Sequence, residues 1–158
     1  HEPTLQEHVN TFMPVQVFNL SITQPEVIES THERMKTAYM GQWERRMMPR
    51  TVMVFLNEEE GLSEVEKTAA AQLESEGALS SYWAALEGTL DPAKVSKAAN
   101  NAVIGNATEV AAQIRERFHP DDRLMLWFDF FRHDSARVCR DIRAFMERVV
   151  PLVNGGDA

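Results

Sequence analysis

The chain has 158 residues and carries 24 acidic against 16 basic side chains, which gives a formal net charge of −8. This excess of negative charge opposes the phosphate backbone of nucleic acid, so no nucleic-acid partner is expected. Hydrophobic residues make up 44% and charged residues 25% of the sequence, close to the averages for globular proteins, and this predicts an ordered chain with a packed core.

The cysteine content and the longest apolar runs bear on location. A single cysteine, Cys139, excludes an internal disulfide and fits a reducing compartment. No apolar run approaches the roughly 18 residues of a membrane span, and the first residues lack the charged-then-apolar order of a signal peptide. We therefore expect a cytoplasmic protein without a membrane partner.

The first half of the chain predicts strand, helix and strand in that order. The run Val15–Leu20 is short, β-branched and aromatic, which is typical of a strand covered on both faces. A helix is expected from Pro25, since proline suits the first helical turn. The run Thr51–Leu56 predicts a second buried strand. Parallel strands joined by a right-handed crossover helix accommodate this order.

Residues 58–100 depart from that alternation with a stretch rich in Ala, Glu and Leu. Helical spacing predicts two or three helices, with breaks at Gly77 and Gly88 and a new helix beginning near Pro92. Ordinary strand-to-helix connections have about 2–6 residues. We therefore expect a helical insertion at 58–100 within a single domain, 1–153, followed by a disordered tail, 154–158.

The last third predicts a helix, a strand and a second helix. Asn106 and Glu109 have the spacing of a capping box at the start of the first helix. The run Leu124–Phe131 is the strongest strand signal in the chain. Asp134 or Ser135 should cap the closing helix.

Motif searches give few candidates for chemistry. The five histidines lack the HxH or HExxH spacing that places two imidazoles on one metal, so no metal is expected. The sequence also lacks GxGxxG, P-loop and GxSxG patterns. Glu58, Glu59 and Glu60 are either catalytic carboxylates or a solvated turn, and a run of three acids beside a glycine favours the turn.

The carboxyl end of the last predicted strand is the place where polar and aromatic side chains converge. In a (β/α) barrel, ligands bind at that end of the strands. Candidates for a cofactor or substrate pocket are therefore Trp127, Asp129, Phe131, Arg132 and His133. The alternative is that the aromatic residues belong to the core and that Asp129 caps a loop or pairs with Arg132.

From Asn101 to Val153 the sequence resembles the ending of the bacterial luciferase-like flavin-dependent monooxygenases. The matching segments are Val-Ile-Gly-Asn-Ala-Thr-Glu-Val-Ala, Leu-Met-Leu-Trp-Phe-Asp-Phe-Phe and the closing helix up to Pro151. The family has a Gly-(Ser/Thr)-Pro-Glu-x-Val turn, in which Asn106 and Ala107 stand here for the usual Ser or Thr and Pro.

The resemblance implies a fold and an activity. The fold would be α/β, the C-terminal half of a (β/α)8 TIM-type barrel, with about strands six to eight, outer helices and an insertion after strand seven. The activity would be oxidation of a small organic substrate by O2 and reduced flavin, with FMN as cofactor; a relative that uses the deazaflavin F420 is a close variant. A complete barrel takes about 250 residues. Strands one to five have no counterpart here, so the catalytic residues are unknown.

A partial barrel leaves strand edges open, and open edges recruit other chains. The partner would be a second copy of the chain or the N-terminal half of the barrel. The alternative to an enzyme is a fragment or assembly module without catalysis of its own.

Overall fold

The computed structural model describes residues 4–5, 8, 24–39, 41–87, 92–129 and 134–155. The first predicted strand, Val15–Leu20, and three of the candidate pocket residues, Phe131, Arg132 and His133, lie outside these residues. Contacts divide the chain into two compact units. The first comprises His1–Thr51 and Asp121–Met125, and the second comprises Val52–Pro120 and Leu126–Ala158. The single domain expected from the sequence stays a prediction.

The first unit contains helix α1, Pro25–Ala38, and a 3-10 turn, Arg45–Met47. Pro25 occupies the first turn of α1, as predicted, because its missing N–H is not needed there. One face of α1 is buried through Ile28 and Met35, which pack with Trp43 and Met48. A small apolar core thus fixes the chain that leads into the first described strand.

Two arginines, Arg45 and Arg50, and the buried side chain of Asp122 link the two segments of the first unit. Arg45 holds Glu29 with two hydrogen bonds of 2.8 and 2.7 Å and donates to Asp122 at 2.9 Å. Arg50 donates to the other oxygen of Asp122 at 3.0 Å. Burial alone would raise the pKa of Asp122, but these two guanidiniums outweigh it and hold that pKa below its usual value. We interpret this network as structural, since every charge in it is paired.

Strands β1, Arg50–Leu56, β2, Val103–Gly105, and β3, Leu124–Trp127, form a sheet of order β2-β1-β3 within the described chain. β1 and β2 are parallel, with Val54 opposite Val103 and Leu56 opposite Gly105. The α/β class with parallel pairing is thereby confirmed. In a sequential barrel β2 would lie between β1 and β3, so the barrel itself stays a proposal.

The last strand is shorter than predicted, because β3 ends at Trp127 rather than at Phe131. The next ring, Phe128, packs edge to face on Phe145 with centroids 5.7 Å apart. The chain therefore leaves the sheet at Phe128, so Trp127 belongs to the strand and Asp129 lies beyond it.

The second unit contains helices α2, Glu64–Glu87; α3, Pro92–Asn101; α4, Ala107–Arg117; and α5, Ser135–Ala144. A π-helix, Phe145–Val149, and a short α6, Val150–Asn154, complete it. The sequence predicted a break at Gly77, but α2 continues through that residue. The cost of glycine in a helix is only about 1 kcal/mol, which the rest of a long helix offsets. None of the helices in the described part of the chain has both the length and the apolarity needed to cross a membrane.

The capping box predicted at the start of α4 is confirmed. Asn106 accepts a hydrogen bond from the backbone of Glu109 at 3.0 Å, and Glu109 accepts one from the backbone of Asn106 at 3.2 Å. Gly105 precedes this capping box with φ of 142°, and a Cβ at that position would collide with the Glu109 carboxylate. The glycine therefore lets β2 turn directly into α4.

Candidate functional site

A cleft of about 720 Å³ lies in the second unit at the carboxyl end of β1. The walls are the end of β1 and the turn after it, Leu56–Glu60, with residues of α2 and α5 and Arg148 of the π-helix. This volume is within the range of about 300–1,000 Å³ that is usual for small-molecule sites. The carboxyl ends of parallel strands are also where α/β proteins place their ligands.

The turn after β1 has a defined shape. The side chain of Asn57 accepts a hydrogen bond from the backbone of Glu59 at 3.0 Å. Gly61 follows with φ of 89°, a left-handed conformation that glycine adopts without strain. Ser63 then caps α2, since its hydroxyl oxygen accepts the backbone N–H of Glu66 at 3.3 Å and its own backbone N–H donates to the Glu66 carboxylate at 2.8 Å. These bonds shape the turn and leave Glu59 and Glu60 exposed at the rim of the cleft.

Glu58 is the most highly connected side chain of the site. Its Oε1 accepts the backbone N–H of Ala107, at the start of α4, at 2.6 Å. Its Oε2 accepts from Lys67 Nζ at 3.2 Å and from Arg148 Nη1 at 2.5 Å. The Glu58 side chain is only 7% exposed. It therefore ties β1, α2, α4 and the π-helix together at one carboxylate.

Burial alone would raise the pKa of Glu58, because a carboxylate loses hydration there. The hydrogen bonds from Ala107, Arg148 and Lys67 outweigh that effect, and the pKa lies below its usual value. Glu58 is thus ionised at neutral pH and is paired with two cationic side chains, Lys67 and Arg148. We infer that it organises the site and does not transfer protons.

A second set of charges connects α2 and α5 across the cleft wall. Arg137 pairs with Glu74 of α2, and its Nε lies 3.5 Å from Asp141 one turn further along α5. Burial raises the pKa of Asp141, and the charge of Glu74 adds to this, against the lowering effects of Arg137 and Arg140. Asp141 is therefore a partly buried carboxylate whose negative charge is only partly compensated, since it shares Arg137 with Glu74.

The lining carries more acids than bases. Its five carboxylates belong to Glu58, Glu59, Glu60, Glu74 and Asp141, and its three guanidiniums to Arg137, Arg140 and Arg148. Two of the guanidiniums are engaged by Glu58 and by Glu74. Within the described residues, the side chains of Glu59, Glu60 and Arg140 make no ion pair or hydrogen bond, and they remain available to a ligand.

The π-helix brings Arg148 to the cleft. It interrupts the regular α-helical spacing between α5 and α6, from Phe145 to Val149. Phe145 and Val149 are buried on its inner side, while Arg148 reaches Glu58, which is 90 residues away in sequence. Single π-turns inside helices are rare and occur frequently at functional sites.

Two of the pocket residues predicted from the sequence, Trp127 and Asp129, are among the described residues, and neither belongs to the cleft lining. Trp127 is partly buried and is not part of the cleft wall. Asp129 lines a small neighbouring cavity, together with Arg137 and Asp141, which also line the cleft. Their role in a pocket is untested and stays a prediction.

Sequence reasoning missed Asp141 and Arg148 entirely and weighed Glu58 as part of a solvated turn. Glu58 is the second residue after a buried strand, and this position in the sequence could have indicated that it belongs to the site. Asp141 and Arg148 lie on a helix whose polar face looks like an ordinary solvated surface, so their role depends on contacts with α2 and β1 that no local pattern shows.

The cleft does not fit the phosphate of FMN. A phosphate needs converging cations or a free helix N-terminus. The N-terminus of α4 is filled, since Glu58 takes the Ala107 amide and Asn106 takes the Glu109 amide. Carboxylates also outnumber guanidiniums in the lining. Among the described residues, no group of three or more His, Cys, Asp or Glu side chains is arranged to hold a metal ion.

Comparisons with known proteins show a similarity of fold. No model of a protein family and no curated protein matches this sequence. Among solved structures, the chain is similar to a monooxygenase, RslO1, from Streptomyces bottropensis, with a TM-score of 0.57 and 19% identity. The match covers 94% of this chain and 45% of RslO1, so the chain spans about half the length of that protein.

Proposed function

We propose that this chain is the C-terminal portion of an oxidative enzyme, a monooxygenase that uses reduced flavin and O2, and that its cleft takes the organic substrate. The observation that carries the proposal is the cleft of about 720 Å³ at the carboxyl end of β1 in a fold similar to that of a monooxygenase. The resemblance of residues 101–153 to luciferase-like enzymes supports the same function.

Each group of the cleft has a part in this proposal. Glu58 fixes the floor of the site, because it holds the start of α4, Lys67 and Arg148 in one arrangement. Arg140 and Asp141 meet polar groups of the substrate, and Leu56 and Leu73 meet its apolar part. The flavin, when bound, supplies the oxygen chemistry.

The flavin phosphate is held outside this cleft, since the lining offers no cradle for it. FMN is the proposed cofactor, with F420 as the variant, and this chain itself is proposed to hold it, outside the cleft. The candidate residues Trp127, Asp129, Phe131, Arg132 and His133 are proposed to border the flavin or the substrate beside the cleft.

Titration of the purified chain with FMN tests this function. We expect saturable binding of one flavin per chain, read from quenching of flavin fluorescence and from flavin absorbance retained through gel filtration. Because the flavin lies outside the cleft, Arg140→Gln should leave its affinity unchanged within about twofold. A folded chain that shows no saturable binding of FMN or F420 would overturn the proposal.

A second function is favoured by exposed apolar side chains on the closing helices. Ile142 and Met146 lie four residues apart and are 42% and 57% exposed. Large apolar side chains grouped on a surface often mark contacts between chains. An assembly module would use this face to bind a second copy or a companion chain, without catalysis of its own.

Light scattering combined with gel filtration separates the two functions. A module should form a stable dimer or heteromer that Ile142→Gln with Met146→Gln dissociates, and it should bind no flavin. An enzyme portion binds flavin whether or not that double variant changes its assembly.

A further inference from the structure

We propose that the cleft binds a small molecule that carries an ammonium group on a short apolar chain, with Asp141 receiving the ammonium. This inference names the substrate class and rests on the proposed role of the cleft as a substrate site. It concerns binding alone and involves no chemical step.

The charges of the lining favour a cation over an anion. Glu58 is shared between Arg148 and Lys67, and Arg137 is shared between Glu74 and Asp141. One guanidinium, Arg140, is left for an anion within the described lining. For a cation, Asp141 and the unpaired carboxylates of the rim are available. A cleft that concentrates one sign of charge attracts ligands of the opposite sign.

Asp141 is the carboxylate placed to receive the ammonium. It lines both the cleft and the small neighbouring cavity, and its side chain is 22% exposed. Its nearest cation, Arg137, lies 3.5 Å away and is shared with Glu74. Because burial raises the pKa of Asp141, its ionised form lacks compensation that a bound ammonium would supply.

Leu73 indicates the apolar part of the ligand. The residue is 73% exposed although it lines a cleft, and Leu56, Ala70 and Ala144 lie in the same lining. Covering an exposed leucine with an alkyl chain gains about 25 cal/mol for each Å² removed from water. A ligand with charge at one end and an alkyl chain at the other would match both features.

Calorimetric titration of the full chain with three probes of equal length tests this. The probes are hexylamine, hexanol and hexanoate, which share the alkyl chain and differ in the charge of the head group. We expect hexylamine to bind at least about tenfold more tightly than either of the other two, since hydrogen bonds to charged groups are the stronger class. Equal affinities, or tighter binding of hexanoate, would overturn the inference.

Matched variants locate the binding. Asp141→Asn nearly preserves shape and should weaken hexylamine about tenfold while leaving hexanol unchanged. Glu116→Gln, an exposed residue of α4 outside the lining, serves as the control and should change neither affinity. If Asp141→Asn melts early, Glu59→Gln combined with Glu60→Gln should still weaken hexylamine selectively. Unchanged hexylamine affinity in a folded variant of either kind contradicts the assignment.

The outcomes separate this inference from the proposed function. Selective amine binding by a chain that binds no flavin leaves the ammonium site standing and removes the monooxygenase. Saturable flavin binding without any preference for the amine leaves the monooxygenase standing and removes the ammonium site.

Discussion

Glu58 is the residue on which the polar contacts of the second unit converge. Removing its charge by Glu58→Gln leaves Lys67 and Arg148 without their shared partner and weakens the bond to Ala107. We expect the free energy of unfolding to fall by about 1–3 kcal/mol at neutral pH, the usual cost of losing hydrogen bonds to a charged group. Urea denaturation measures this directly.

The pH dependence of that loss has a definite sign. The folded-state pKa of Glu58 is lowered, so its contribution to stability is present above the unfolded value of about 4.3 and is lost as pH falls through the folded value. The difference between the wild-type chain and Glu58→Gln should therefore shrink below about pH 4. Glu116→Gln gives the background, and a difference that persists undiminished in acid would contradict the role of Glu58.

His32 is a buried histidine of the first unit, and it accepts a hydrogen bond at Nδ1 from Trp43 Nε1 at 3.0 Å. Burial lowers its pKa, and the charge of Arg45 lowers it further. A lowered pKa means that stability is present above the unfolded value of about 6.5 and is lost as pH falls through the folded value. Acidification below about pH 6 should destabilise the first unit.

Two variants separate the charge of His32 from its hydrogen bond. His32→Asn keeps an acceptor for Trp43 but does not titrate, so the stability of the first unit should become independent of pH in this range. His119→Asn, at an exposed position, should retain the pH dependence. Hydrogen exchange of the α1 backbone amides measures the stability of the first unit by itself. Equal pH dependence of that stability in both variants would show that His32 does not cause it.

At the scale of elements, the continuity of α2 through Gly77 can be tested by substitution. The helix passes through this glycine without a break, and a Cβ placed there meets nothing within 4 Å. Gly77→Ala should therefore raise the free energy of unfolding by about 0.5–1 kcal/mol. The same change at Gly61, where φ is 89°, should lower it by about 1–2 kcal/mol. A loss of stability from Gly77→Ala would mean that α2 is broken there.

The elements that the sequence predicted are those with a local cause. β1 is a short run of β-branched and aromatic residues, and the capping box of Asn106 and Glu109 needs only residues three positions apart. The cap of α5 is equally local, since Asp134 accepts the backbone N–H of Arg137 at 3.0 Å. Such signals act before tertiary contacts form.

The features that the sequence did not reveal depend on contacts between distant segments. β2 has three residues and exists because it pairs with β1. Phe128, the first residue after β3, packs on Phe145 of the π-helix, a contact that no local pattern shows. Glu58 belongs to the site because Ala107 and Arg148, far away in sequence, meet it. The order β2-β1-β3 likewise follows from pairing and not from any pattern along the chain.

At the scale of the whole molecule, the likeness to half of a monooxygenase and the cleft at the end of β1 are separate observations. They concern one enzyme only if the cleft and the flavin belong to the same active site. Two ligands that share a site are coupled, and the coupling is reciprocal: each changes the affinity of the other by the same factor.

The most direct test is therefore the affinity of the full chain for hexylamine, measured by calorimetry with and without saturating FMN, together with the affinity for FMN with and without hexylamine. We expect both affinities to change by one common factor of at least about fivefold, and Asp141→Asn to abolish the coupling while FMN still binds. Two ligands that bind with affinities independent of each other, or a folded chain that binds hexylamine but not FMN, would contradict the claim that this cleft is the substrate site of a flavin-dependent oxidative enzyme.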